Sequence, residues 1–328
     1  MASSVYEAIK ASRDLPSPTG VALHILRLAQ NEESTVEEIA AAVESDPAIS
    51  SRLLKLVNAP LAGMPRQIAS IQLAVALLGV RTVTSLALGF SLVSSHRQGK
   101  CSAFDYQSFW SESVARAVAA RHVAHHVKKF APDEAFTCGL VCQIGRLALA
   151  TAFPEEYAKT LHAVATDNPE ELNGLEQAAF DINHDVLAAE MMTDWHMPAI
   201  FCEAVRTQTT AGTTDLDPDS RVCLFARVLH LCGSISLVLV RPTVYRDTLS
   251  TLVREANSLH VTPYVYHEMF DAISQEWREV GAILSVHTRR VPPLAEIYSH
   301  AQERRALLEA MDTDSVLEGL GGGYSGRG

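Results

Sequence analysis

With 328 residues, 48% hydrophobic but only 6% aromatic, the chain is long enough to bury a core without covalent staples and favours helices over sheets. A formal net charge of -11 argues against a protein whose affinity comes from neutralising phosphates, so nucleic acid is not an expected partner. The six cysteines form no C-x-x-C and no apolar leader follows Met1, which speaks against a zinc knuckle, a disulfide framework or secretion and for reduced thiols in a cytosol.

In chain order, Val5, Ile9 and Leu15 predict a short amphipathic opening helix, broken by Pro16-Ser17-Pro18 before a second helix through Val21, Ile25, Leu26 and Leu28. Thr35 followed by Glu38 is a capping-box signature and predicts a helix from Val36 to about Glu44. Asp46-Pro47 opens the next helix, with Ile49, Leu53, Leu54, Leu56 and Val57 as its apolar stripe, ending near Asn58-Ala59-Pro60. The pair of helices over Thr35 to Val57 has the outline of a helix-turn-helix. Its second helix offers only Arg52 and Lys55 as basic residues, too few for a reading helix.

After a turn at Gly63-Met64-Pro65, the stretch Ser70 to Leu92 predicts two packed helices that meet at Gly79. The polar segment Ser94 to Ala103 is the expected junction between two helical lobes. The second lobe begins with Phe104, Tyr106, Phe109 and Trp110, a group favoured for burial between the lobes and otherwise a candidate interaction surface, followed by a helix from about Gln107 to Lys129. His122, His125 and His126 on that helix, beside Arg121, Lys128 and Lys129, read as a solvated, locally basic face. Ala135 to Ala152 is an apolar run between Pro132 and Pro154 and predicts one central buried helix.

Further helices are expected over Glu155 to Thr166, Pro169 to Phe180, His184 to Asp194, Ile200 to Gln208, Arg221 to Val240, Val244 to Leu259 and Pro263 to Ser285. Within them the longest nearly uninterrupted apolar run, Val228 to Val240, is about twelve residues, against the roughly twenty needed to span a bilayer, so no membrane span is expected. Pro292-Pro293 introduces an expected exposed helix through Ala310, and the glycine-rich end from Gly319 to Gly328 is expected not to pack. The class is all-α. No G-x-S-x-G, G-x-G-x-x-G or P-loop is present, so serine hydrolysis and those nucleotide sites have no support.

Two groups of segments carry a family resemblance: 15–30, 45–60 and 70–80, then 109–120, 136–149 and 183–198 with the helix that follows. Together they make the chain resemble the HDOD family, the non-catalytic relatives of HD-domain metal phosphohydrolases. The resemblance implies a two-lobed helical fold: residues 1–98 as the N-terminal lobe, 104–288 as a lobe similar to the HD core, and 289–328 as a C-terminal helix and tail.

In the related hydrolases, imidazoles and carboxylates hold divalent cations that activate water. By the resemblance, a position often occupied by histidine is Glu112 here, the His-Asp pair of the central helix is Cys142-Gln143, and His184-Asp185 remains. The segment Val205 to Gln208 lacks the later histidines. Gln143 is neutral and cannot balance a metal charge, so the expected pocket of Glu112, Cys142, Gln143, His184, Asp185 and Gln208 is degenerate, with no metal and no cofactor. The resulting expectation is a non-catalytic cytoplasmic signalling or regulatory protein of a bacterium, acting as a scaffold for a protein partner. The alternatives are a sensor holding a nucleotide or small anion beside Arg146 or Arg206, and a residual phosphohydrolase binding zinc through Glu112, Cys142 and His184.

Overall fold

The structure, a computed structural model, describes residues 4–11, 15–31, 33–58, 67–165, 169–210, 217–241 and 245–299. The turn expected at Gly63-Met64-Pro65 and the glycine-rich end lie outside the described residues.

Local sequence sets the helices of the first lobe. These are α1 (Ser4–Ala11), α2 (Gly20–Gln30), α3 (Val36–Glu44), α4 (Pro47–Val57), α5 (Ile71–Leu78) and α6 (Val80–Ser95). The capping box closes as expected: the Glu38 N–H donates to Thr35 Oγ1 at 3.2 Å and the Thr35 N–H to Glu38 Oε2 at 2.9 Å. Asp46 accepts from the Ala48 and Ile49 N–H groups at the start of α4, with Pro47 in the first turn. Gly79 takes φ +82, a left-handed value that costs glycine little, and there α5 and α6 bend by 110°. Arg52 turns back on α6, donating to Ser94 Oγ at 2.7 Å and lying over the Phe90 ring.

The second lobe contains α7 (Tyr106–Val127), α8 (Pro132–Val141), α9 (Ile144–Ala152), α10 (Pro154–Ala163), α11 (Pro169–Phe180), α12 (His184–Asp194), α13 (Ala199–Thr207), α14 (Arg221–Val240), α15 (Tyr245–Ser258) and α16 (Pro263–Leu284). No strand occurs among the described residues, so the fold is all-α. Helix α7 is the central post, with α8, α14 and α16 packed around it. Helix α6, buried from Val83 to Val93, touches α2 to α5 on one side and α8 and α16 on the other, so the two lobes share one core. Its Gly89 sits where a Cβ would lie 3.0 Å from Leu140 of α8 and 3.3 Å from Leu284 of α16.

Four expectations are corrected. The apolar run 135–152 is two helices, α8 and α9, separated by a turn at Cys142-Gln143. Helix α9 runs so close to α12 that a Cβ on Gly145 would collide with the carbonyl oxygen of His184. Tertiary contact, which hydropathy does not encode, accompanies the break.

The aromatic group does not form a surface: Phe104, Phe109 and Trp110 are buried and Tyr106 half-buried, ring against ring, with Trp110 Nε1 donating to the His96 carbonyl at 2.9 Å. His122 and Arg121 are not simply solvated, because both clamp Glu276 of α16 at 2.6 Å. Residues 294–299 are helical as expected but not exposed throughout, since Leu294 and Ile297 are buried.

By length and composition, residues 132–152 and α14 are also apolar enough to cross a membrane, with mean hydropathies of 1.4 and 2.0, as is the bent α5–α6 pair if taken as one span. The apolar-run estimate underrated α14 because Arg221 and Arg227 interrupt the run without lowering the mean much. In the fold most of these side chains are covered by neighbouring helices: 83% of the 132–152 window and 72% of the α14 window are buried.

Two glycine substitutions test this packing. Gly145→Ala is expected to destabilise by about 1–3 kcal/mol in urea unfolding, because backbone rather than a flexible side chain blocks the new methyl. Gly174→Ala, on α11 with open space around it, is expected to stabilise by roughly 0.5–1 kcal/mol.

Candidate functional site

Helices α11 and α12 bring a set of polar side chains into the interior of the second lobe. On α11 the most deeply buried face is polar: Asn173 and Glu176, three residues apart, point inward while Leu172 and Leu175 are half-buried. Asn183 caps α12 by accepting from the Val186 N–H at 3.0 Å, which places His184 and Asp185 in the first turn.

His184 Nδ1 lies 2.6 Å from Glu176 Oε2, and the same oxygen accepts the His184 backbone N–H at 2.8 Å. The other Glu176 oxygen accepts the Tyr157 hydroxyl of α10 at 2.8 Å. His184 Nε2 faces Asp185 Oδ1 at 3.5 Å. Asp185 accepts from Gln208 Nε2 at 2.6 Å, Asn173 Nδ2 at 2.9 Å and Thr209 Oγ1 at 2.5 Å. Gln208 Nε2 also donates to the Cys142 carbonyl at 3.2 Å, at the turn between α8 and α9. Both charged ends of His184-Asp185 are therefore bonded within the protein.

The electrostatics follow from this geometry. Burial disfavours the charge on His184, yet Glu176 and Asp185 outweigh it and hold the imidazole above its ordinary 6.5. Burial pushes Glu176 upward, but the charge and hydrogen bonds of His184, with the Tyr157 hydroxyl, bring it below its ordinary 4.5. Each partner thus favours the charged form of the other.

The structure brings together His184, Asp185, Gln208 and the Cys142 carbonyl, but draws Glu112 elsewhere. Its carboxylate faces Arg146 at 3.5 Å and Arg241 at 3.3 Å. The Cys142 thiol donates to the Gly139 carbonyl at 3.3 Å; burial raises its pKa to about 11, although the nearby Arg116 charge opposes this. Gln143 is buried at the turn, its carbonyl accepting the Arg146 N–H at 3.0 Å.

Zinc binding through Glu112, Cys142 and His184 does not fit these residues. Metal ligation needs a thiolate and a free imidazole nitrogen, whereas burial holds this thiol up at about 11 and both ring nitrogens face carboxylates. Among the described residues no three His, Cys, Asp or Glu side chains stand where they could hold one ion. The arginines expected to seat an anion are paired as well: Arg146 with Glu112, and Arg206 with Glu190 at 3.1 Å and Glu203 at 3.5 Å.

Tyr157, Asn173, Glu176, Thr209 and Arg241 were not legible as site residues. Only the inward turn of α11 identifies Asn173 and Glu176; a polar pair at helical spacing ordinarily faces water.

Stability linked to this pair has a defined pH window. The His184 contribution is complete below its unfolded value near 6.5 and is lost as the pH rises through its higher folded value. The Glu176 contribution is present above its unfolded value near 4.5 and is lost as the pH falls through its lower folded value. His184→Gln, which strands a buried carboxylate, is expected to cost about 3–5 kcal/mol. The loss measured by denaturant titration should be greatest between pH 4.5 and 6.5 and shrink at alkaline pH; a pH-independent loss would contradict a charged pair.

Comparison with known proteins agrees with this architecture. A protein of Treponema pallidum (strain Nichols), described as uncharacterized, is 26% identical over 212 residues, which are 63% of this chain and 39% of that protein. The chain thus spans well under half the length of that relative. The MmoQ response regulator of Methylococcus capsulatus is 37% identical, with 78% of this chain and 97% of that one covered and a TM-score of 0.48. A protein of Marinobacter aquaeolei ascribed to signal transduction is 20% identical, with 87% of this chain and 62% of that one covered, and shares the fold at a TM-score of 0.63. The HDOD domain pattern matches residues 15–211, more than half of the sequence and most of both helical lobes, and the chain belongs to the HDOD domain family.

Proposed function

We propose that this protein is a non-catalytic signalling or regulatory component whose HD-like core acts as a scaffold for a protein partner in a bacterial cytoplasm. The observation that carries this reading is the closed network around His184, Glu176 and Asp185. The Asp185 carboxylate already accepts from Asn173, Gln208 and Thr209, and the His184 ring nitrogens already face Glu176 and Asp185, so the pair's polar atoms are engaged within the protein. A core in this state supports shape and leaves the outer surface to recognition. Membership of the HDOD family, with neighbours that include a response regulator and a protein ascribed to signal transduction, supports the signalling role.

The purified chain, assayed on bis-p-nitrophenyl phosphate with added manganese, zinc or magnesium, is expected to show no turnover above buffer. In affinity capture from its native cell it is expected to retain a stoichiometric protein partner, equally in wild type and Cys142→Ser. Metal-dependent turnover that disappears in Asp185→Asn, or the absence of any retained partner, would overturn the proposal.

A further inference from the structure

The matched family region begins at residue 15, so α1 stands ahead of it, yet this helix reaches across to the second lobe. The Tyr6 hydroxyl donates to Asp194 Oδ2, and Lys10 Nζ, one turn further along, meets the same oxygen at 2.5 Å while lying over the Tyr6 ring. Burial pushes Asp194 upward, but the hydrogen bonds of Lys10 and Tyr6 bring it below its ordinary 3.8, so it stays a carboxylate.

The hold on α1 is narrow. From Val5 to Ala11 only Tyr6 and Ile9 are buried, while Glu7, Ala8, Lys10 and Ala11 face solvent. The helix does not pack flush on its neighbour: a cleft of about 270 Å³ separates them, lined by Tyr6, Lys10, Leu15, Met191, Asp194 and Trp195. Eight residues are too few for a helix to persist alone in water. Undocking and unfolding of α1 are therefore one event, and elements with few buried contacts open first and on their own.

The anchor is placed to suit α1 and not α12. Asp194 is the last residue of α12, where a negative charge opposes the helix dipole. Met191 and Trp195, which share the cleft with it, are 2% and 6% exposed with α1 in place.

We propose that α1 is a detachable strap: it releases from Asp194 and unfolds as one unit while both lobes stay folded, and its release opens the cleft and bares Met191 and Trp195. The fold thus carries its own control over one apolar stretch of surface, at the opposite end of α12 from His184.

The test uses the full chain. Hydrogen exchange read by mass spectrometry follows residues 4–11, with α7 as the core reference, and hydroxyl-radical footprinting follows Met191 and Trp195, with the buried Trp277 as control. In wild type, α1 is expected to exchange at least roughly a hundredfold faster than the middle of α7, after correction for intrinsic rates. Asp194→Ala should speed α1 exchange about tenfold more, as expected for loss of a hydrogen bond to a charged acceptor. It should also raise labelling of Met191 and Trp195 and leave α7 and Trp277 unchanged. Ile9→Ala, which removes a buried side chain of the strap and leaves Asp194 intact, should act in the same direction. The proposal is overturned by α1 exchange at the α7 rate in wild type, by α1 rates that neither variant changes, by α1 and α7 accelerating together, or by faster α1 exchange without added labelling of Met191 and Trp195.

Discussion

A histidine buried between two carboxylates is the constraint on which the second lobe depends. His184, Glu176 and Asp185 are almost fully removed from water, where isolated charges would be prohibitively unfavourable. They are tolerated because their partners come from α10, α11 and α12 and from Gln208 and Thr209 after α13. Each partner must stay within hydrogen-bond reach, so the ends of these elements are held in register by polar geometry as well as by apolar contact. The close passage of Gly145 past the His184 carbonyl tightens the same junction on its α9 side.

This arrangement engages within the protein the atoms that a histidine-aspartate pair would otherwise offer to a metal. Catalytic metal sites leave lone pairs directed at an open coordination position. Here the ring nitrogens face carboxylates, and the Asp185 oxygens accept an amide from α11 and an amide and a hydroxyl from beyond α13. Gln208 links this network to the carbonyl at the α8–α9 turn, so these residues hold helices together.

Beyond that junction the fold is held by a continuous apolar core. Helix α6 enters both lobes, which makes the division at residues 94–103 a change of chain direction and composition more than a separation of cores. Helices α14 and α16 complete the burial of α7 although they lie past the matched family region, and Trp277 of α16 donates to the Ser111 carbonyl at 3.0 Å. The outer helices therefore finish the core.

Helix identity, caps and most helix boundaries were legible in the sequence because they depend on interactions within a few residues: Thr35 with Glu38, Asp46 before Pro47, a glycine at position 79. The departure at Cys142-Gln143 from the His-Asp pair that the resemblance implies was equally legible, since it concerns single positions. For the Phe104 to Trp110 group the sequence favours burial but keeps a surface as the alternative, because an aromatic cluster suits either environment, and the structure buries Phe104, Phe109 and Trp110.

By itself the sequence determined an all-α chain, its helix ends and the chemistry available at Glu112, Cys142, Gln143, His184, Asp185 and Gln208. Only the tertiary structure decided how that chemistry is used: it broke the 135–152 run, turned Asn173 and Glu176 inward, and gave Glu112 to Arg146 and Arg241. Those outcomes depend on residues tens of positions apart meeting at hydrogen-bond distance, and periodicity along one helix carries no information about which distant side chain will face it.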